Sequence, residues 1–260
     1  MDDVWAIVED AAGDRSSGAA EIARKVAGAL GRLPDNSVMP AIERLLRGHP
    51  SMAPLWRLAT EILSSPDRAS AARRFLLLLE ADRDAAEALE TNVAGRRILT
   101  ISYSSSILRL VRQARPQAVL CMRSDPGGEG LRAASAMSAW TVANVVEDDE
   151  ATNDVPADLV VVGADAVTTD SVINKVKTRA LAEAARAKGI PTYAVAGEVK
   201  FIGAEIPVTT DFEATPLELF SAIAGPQGLW DPPQASAYAR GQGIHPDLRR
   251  LLVELEDLSH

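Results

Sequence analysis

Cysteine is nearly absent from this chain. Cys121 is the only one in 260 residues, so no disulfide framework can form within one chain. Such sparse use suits a reducing, cytoplasmic compartment. Histidine is scarce as well. His49, His245 and His260 fall at no metal-ligand spacing, so neither a metal nor a cofactor is expected. No apolar run reaches the ~18 residues needed to cross a bilayer. The opening stretch, MDDVWAIVEDAAGD, lacks the basic and apolar regions of a secretory signal, and no membrane association is expected. Positive charge is outnumbered, with 27 Lys and Arg against 36 Asp and Glu. No segment forms a basic stripe, which argues against nucleic-acid binding.

What is present is an ordinary globular complement, 47% hydrophobic residues, arranged in two styles. The first 92 residues read as helix throughout. Residues 19–30 place Ala19, Ile22, Ala23, Val26 and Leu30 at helical spacing, with Asp14, Ser16 and Ser17 as N-cap candidates. Residues 65–90 read as one long helix, with Ser65 as its cap and Pro66 in its first position. Shorter helices fit 36–47 and 54–63.

The style changes at Gly95-Arg96. RILTISY, QAVLCM, TVANVVE, ADLVVVGAD and IPTYAVA are short apolar, β-branched runs, separated by helical segments at 104–114, 130–139 and 174–188. Alternating strands and helices predict a parallel sheet covered on both faces. LVVV lacks alternation, as a central strand does. In the tail, FEATPLELFSAI reads as a loop and short helix, GPQGLWDPPQASAYARGQG as a loop, and HPDLRRLLVELEDL as a helix. The expected fold class is α/β: an N-terminal all-helical domain (1–92), then a Rossmann-like parallel-sheet domain that binds the ligand (93–260).

Ligands of such sheets bind beyond the carboxyl ends of the strands. Gly163-Ala164-Asp165 ends the most buried run, which aims Asp165 into that crevice, while Gly163 allows close backbone approach. The next helix is expected to start near Asn174-Lys175. That places Lys175 and Lys177 in its first turn, where two cations are unfavourable unless an anion offsets them. The alternative is two solvated lysines and an aspartate that merely forms a turn. The hydroxyl-rich loop Ser102-Tyr103-Ser104-Ser105-Ser106 either holds a phosphate or caps the helix from 104. Arg123-Ser124-Asp125-Pro126-Gly127-Gly128 brings Arg123 to the same edge.

Gly128-Glu129-Gly130-Leu131-Arg132-Ala133 also matches a dinucleotide fingerprint, with Glu147 and Asp148 about twenty residues on. The fingerprint needs its glycines directly after the strand, and Arg123 to Gly127 intervene. A dinucleotide site is the minor alternative.

These residues, in this order, resemble the family of translation initiation factor 2B α/β/δ subunits, ribose-1,5-bisphosphate isomerase and methylthioribose-1-phosphate isomerase. ILTISYSSSILRLV is similar to the family's ILTHSYS or LTHCN loop and following helix. The stretch from GAD at 163–165 through NK at 174–175 to KF at 200–201 is similar to its most specific block. DRSSGAAEIA, HPSMAPL and FEATPLEL are weaker matches. The resemblance implies an N-terminal helical domain and a C-terminal domain of the type shared with ribose-5-phosphate isomerase and CoA transferases. It also implies dimerisation through that second domain. The isomerases of the family act without a metal, through a cysteine and the GAD aspartate. Carried over, Asp165 matches the aspartate and Asn174 and Lys175 the substrate-binding pair.

The departures are specific. The cysteine position holds Ser102, and the histidine before it is Ile101. A hydroxyl does not exchange protons near neutral pH as a thiol does. One anion-site arginine position holds Asp125, with Arg123 two residues away. The family's Arg-Gly-Ala reads Ser17-Gly18-Ala19, and the glycine of NKIGT is Lys177. If the protein is an aldose–ketose isomerase, Asp165 relays the proton and Ser102 hydrogen-bonds the substrate oxygen. Lys175, Lys177 and Arg123 then hold phosphate, with Asn174, Gly163, Ser104 and Gly18 lining the site. The other readings are a non-catalytic sugar-phosphate-binding or regulatory protein and an empty scaffold. Ser102 and Asp125 favour the non-catalytic reading over isomerase chemistry, while Asp165 with Asn174-Lys175 favours retained binding.

Overall fold

The computed structural model describes residues 2–80, 83–125 and 127–257. Pro126 and His260, both named above, lie outside them. The N-terminal region is helical: α1 (Asp2–Gly13), α2 (Ala19–Leu30), α3 (Asp35–Gly48), α4 (Ala53–Leu63) and α5 (Arg68–Glu80), then short α6 (Arg83–Glu87) and α7 (Glu90–Val93). The apolar positions of α2 that share a helical face are all buried, with Ile22, Ala23, Val26 and Leu30 at its centre. Of the helix expected over 65–90, the described residues are helical at Arg68–Glu80 and Arg83–Glu87, a further short helix starts at Glu90, and the cap is not Ser65. Asp67 takes that role, accepting from the Ser70 N–H at 3.0 Å and the Ser70 hydroxyl at 2.6 Å. A carboxylate is the stronger acceptor at a helix start.

The second region alternates: β1 (Arg97–Thr100), α8 (Ser105–Ala114), β2 (Ala118–Met122), α9 (Glu129–Met137), β3 (Val142–Val146), α10 (Asp148–Asp154) and β4 (Leu159–Gly163). A short hairpin follows, β5 (Ala166–Val167) and β6 (Ser171–Lys175). Then come α11 (Thr178–Ala187), β7 (Thr192–Val195), β8 (Phe212–Pro216), β9 (Ala222–Gly225), β10 (Gly228–Trp230), α12 (Pro232–Arg240) and α13 (Leu248–Asp257). The main sheet runs β10-β9-β7-β4-β1-β2-β3. Every pairing is parallel except β9 with β10. β5, β6 and β8 form a separate antiparallel sheet.

Every residue of β4 is buried, as its unbroken apolar run demands. From β1 the chain winds outward through β2 and β3, and from β4 through β7 and β9. The strand order therefore reverses between β1 and β4, which is where open parallel sheets form a crevice. In the tail, the stretch read as a loop folds into β10 and α12 instead. Asp231 and Gln234 form a reciprocal capping box at the start of α12, with Pro at its first positions. FEATPLELFSAI gives β8, a turn of 3₁₀ helix at Leu217–Leu219 and β9.

The two regions share a core. Leu248, Leu251 and Leu255 of α13 pack with the N-terminal helices, together with Ala166, Ile173 and Val199. Ala85 and Ala86 of α6, Leu89 just before α7 and Val93 of α7 pack instead with one face of the sheet. The N–H of Ala53 donates to the Asp165 carbonyl at 3.0 Å, tying the start of α4 to the end of β4. Among the described residues no helix is long and apolar enough to cross a membrane.

Candidate functional site

A cleft with two lobes lies at the β1/β4 switch, covered by the start of α2. The smaller lobe, about 40 Å³, is lined by Gly18, Ala19, Ser102, Ser104, Gly163, Asp165, Asn174 and Lys200, among others. It has room for roughly three waters, the scale of a phosphoryl group. The larger lobe, about 300 Å³, shares Gly18, Ser102, Tyr103 and Asp165 with it. It extends past Asp14, Arg15, His49, Glu129 and Lys175 to Asp211.

Two helices of ten residues or more begin at the small lobe. α2 starts after Gly18, which makes no side-chain cap bond, and its Ala19 and Ala20 N–H groups find no protein acceptor among the described residues. α8 is capped by the Ser104 hydroxyl, which accepts from Ile107 N–H at 3.5 Å, a weak bond. Both helix dipoles present positive ends to the lobe. Ser104 thus serves as a cap and lines the cleft as well. Gly163 ends β4 in ordinary extended backbone. Its reason for being glycine is steric, since a Cβ there would sit 2.5 Å from the Ser104 hydroxyl.

Asp165 is the acid of the cleft. Its carboxylate has no hydrogen-bond donor among the described residues. Burial pushes its pKa up to about 6, against the opposing pull of Lys200 and Lys175. Lys200 is the residue missed when reading the sequence. It is 5% exposed, sits on the 3₁₀ turn Glu198–Lys200 after β7, and lines the small lobe. No carboxylate lies within ion-pair distance of it among the described residues. Its signal was its setting: a lysine between Val199 and Phe201, both fully buried, cannot turn to solvent.

Asn174 and Lys175 depart from expectation. They end strand β6, because the residues after Asp165 form the β5–β6 hairpin before α11 begins at Thr178. The Asn174 amide donates to the Thr178 hydroxyl at 3.0 Å, and that hydroxyl donates to the Lys175 carbonyl at 2.6 Å. The start of α11 is not an anion site: Glu213 already accepts from Arg179 N–H at 2.6 Å. Lys175 is buried, lines the larger lobe, and pairs with Glu129 at 2.7 Å. Lys177 precedes α11 with φ 78°, the left-handed region that favours glycine. Its ammonium leaves the cleft for Asp148 at 2.7 Å.

Arg123 also turns away, making a two-pronged contact with Glu147 at 2.8–3.1 Å. Asp148 accepts from the N–H groups of Ser124 and Asp125 at 2.8 and 3.0 Å. Burial raises its pKa, but the bond from Lys177 and these two N–H groups together hold it below its ordinary value. The Ser124 hydroxyl then accepts from Ser102 N–H at 2.8 Å, fixing Ser102 at φ 63°. The two acids weighed for a dinucleotide ribose are thus occupied, one by Arg123 and one by Lys177 and the loop. Gly130 packs directly on the Met122 carbonyl. Of the residues singled out, Gly18, Ser102, Ser104, Gly163, Asp165, Asn174 and Lys175 meet at the cleft, whereas Arg123 and Lys177 line neither lobe.

Residues 36–226 match the model of the initiation factor 2 subunit family. The chain belongs to that family. An eIF-2B subunit 2-like protein of Pyrococcus horikoshii is 30% identical over 218 residues, covering 76% of this chain and 79% of the relative. The crystal structure of a P. horikoshii translation initiation factor eIF-2B superposes with a TM-score of 0.80 at 27% identity, covering 90% of this chain and 98% of that one. A 5-methylthioribose 1-phosphate isomerase from the same organism superposes at 0.68 with 17% identity over 98% and 88% of the two chains, a likeness of fold.

Proposed function

We propose that this initiation factor 2B-like protein binds a phosphorylated sugar in the β1/β4 cleft and acts as a regulatory or scaffold subunit. The observation that carries this is Lys200: a buried lysine with no carboxylate at ion-pair distance among the described residues, lining with Asp165 a lobe where two helices begin. Burying an unpaired cation is costly, and a phosphate ester would offset that cost. Lys175 and Asn174 extend the site toward the sugar. Ser102 in place of a thiol, and Arg123 held by Glu147, weigh against isomerase chemistry of the family's kind. The tetrameric eIF2B-β2δ2 complex of C. thermophilum, similar in fold, supports self-association, and the family resemblance implies a homodimer formed through the second region. Its mass in solution is checked by light scattering.

The test of binding is thermal shift with a panel of sugar phosphates and nucleotides. A ligand that binds only the native state raises the melting temperature by mass action. At least one phosphate ester is expected to do so, with affinity reduced on the order of 100-fold in Lys200→Ala, the scale of one or two lost charge-assisted bonds. A panel without any shift, or a shift unchanged in Lys200→Ala, would refute the site.

An isomerase reading has one observation in its favour: a carboxyl with a pKa of about 6 is poised to carry a proton near neutral pH. Incubation with ribose 1,5-bisphosphate or methylthioribose 1-phosphate in deuterium oxide decides between the readings. We expect neither ketose product nor deuterium at the sugar carbons. Turnover would overturn the regulatory reading.

A further inference from the structure

The two lobes of the cleft differ in charge. Around the small one, a buried lysine and two helix starts face a single carboxylate, Asp165. The larger lobe holds four carboxylates: Asp14, Glu129, Asp165 and Asp211. Its cations are Arg15, Arg47 and Lys175, and two of these are committed. Arg47 pairs with Glu254 at 2.8 Å and Lys175 with Glu129 at 2.7 Å. His49 adds no charge at neutral pH. Burial lowers its pKa, and its Nε2 lies 2.7 Å from the Ala11 carbonyl oxygen. A second dianionic group would enter a net negative lobe.

Glu129 is the centre of that imbalance. It begins α9, and its Oε1 takes the Lys175 ammonium. Its Oε2 is buried without a hydrogen-bond donor among the described residues, an unsatisfied acceptor of the kind that folded proteins rarely tolerate without a reason. Its carboxylate lies against Gly127, where a Cβ would come within 2.5 Å of it, so the glycine leaves space for this placement. The lysine that would grip a second phosphate is therefore neutralised by an acid whose other oxygen is left without a donor among the described residues.

We propose that Glu129 is a specificity-determining residue that reserves the larger lobe for the hydroxyl- or ammonium-bearing end of a ligand with one phosphoryl group, and rejects bisphosphates. This rests on the phosphate-ester reading of the cleft and narrows it. The phosphoryl group takes the small lobe beside Lys200. The remainder of the ligand donates hydrogen bonds to Glu129. A second phosphate meets the Glu129 carboxylate and a lysine already paired with it, with Arg15 as the one lining cation not paired with a carboxylate among the described residues, and such repulsion is how a binding site discriminates.

The experiment is titration calorimetry of the full chain with ribose 1-phosphate, ribose 5-phosphate and ribose 1,5-bisphosphate at one ionic strength. Wild type is expected to bind at least one monophosphate ten-fold or more tightly than the bisphosphate. Glu129→Gln keeps the shape, removes the charge and frees Lys175. It is expected to tighten bisphosphate binding at least ten-fold while weakening the monophosphate. Equal or tighter bisphosphate binding in wild type overturns the inference and leaves the phosphate site standing, and that measurement needs no variant. Equal effects of Glu129→Gln on both ester classes also overturn it. If no ester binds at all, the proposed function falls and this inference with it.

Discussion

Where β4 and β7 end, Asp165 is half-buried and Lys200 buried at the cleft, and neither has a hydrogen-bonded charge partner among the described residues. Where β2 and β3 end, the charges are paired off: Arg123 with Glu147 and Lys177 with Asp148, with two backbone N–H groups closing on Asp148 as well. The open side is where the sequence keeps the family's pattern, and the paired side is where it departs. An anion site must hold its charges in reserve, whereas a structural network spends them on neighbours. The asymmetry implies that removing a charge should have opposite consequences on the two sides.

The largest stability effect is expected at Asp148. Asp148→Ala strands Lys177 and two loop N–H groups, and breaking such a buried network costs about 2–4 kcal/mol. Because folding lowers the Asp148 pKa, its contribution is complete at neutral pH and fades as pH falls through the ordinary carboxylate range. Urea unfolding measures both. The shift produced by a bound ester should survive in the variant. If Asp148→Ala instead abolishes binding without loss of stability, the paired side belongs to the ligand site.

Asp165→Asn should act in the other direction. The folded carboxyl titrates near 6, above its ordinary value, so it is costly to ionise in the folded state. Wild type then loses stability as pH rises from about 4 to about 6, and the loss levels off above that. Asp165→Asn should flatten this slope and be more stable at pH 8 by about 2–3 kcal/mol, the equivalent of a shift of about two pKa units. Identical pH profiles for the two proteins would show that Asp165 carries no such strain.

The smallest effect is expected at Lys177. Lys177→Gly relieves a left-handed residue and gives up the ion pair with Asp148. The two effects oppose each other, leaving a net change within about 1 kcal/mol in chemical denaturation. A loss above about 2 kcal/mol would mean that the ion pair dominates.

Much of this was legible in the sequence. The α2 stripe, five of the six parallel strands and the position of Asp165 follow from periodicity and unbroken apolar runs. Lys175 and Lys177 were misplaced because β5 and β6 are too short to show a period, and Ser171, Asn174 and Lys175 are not typical strand formers. The tail was misread because Gly and Pro signal loops, while Pro232 and Pro233 sit at the start of α12. Lys200 ends the family-like block yet escaped as a site residue, because nothing local in the sequence marks a lysine as buried. Only its burial marks it. The pairing of Arg123 and Lys177 with acids far along the chain is tertiary and left no local trace.

The bond between Ala53 N–H and the Asp165 carbonyl has a further use. It belongs to the residue at the heart of the cleft, yet its proton sits on a helix of the other region. The Ala53 amide resonance is therefore a ready-made reporter. Any occupant that shifts the end of β4 will move that signal, so the proposed binding can be followed by magnetic resonance at a residue that lines neither lobe.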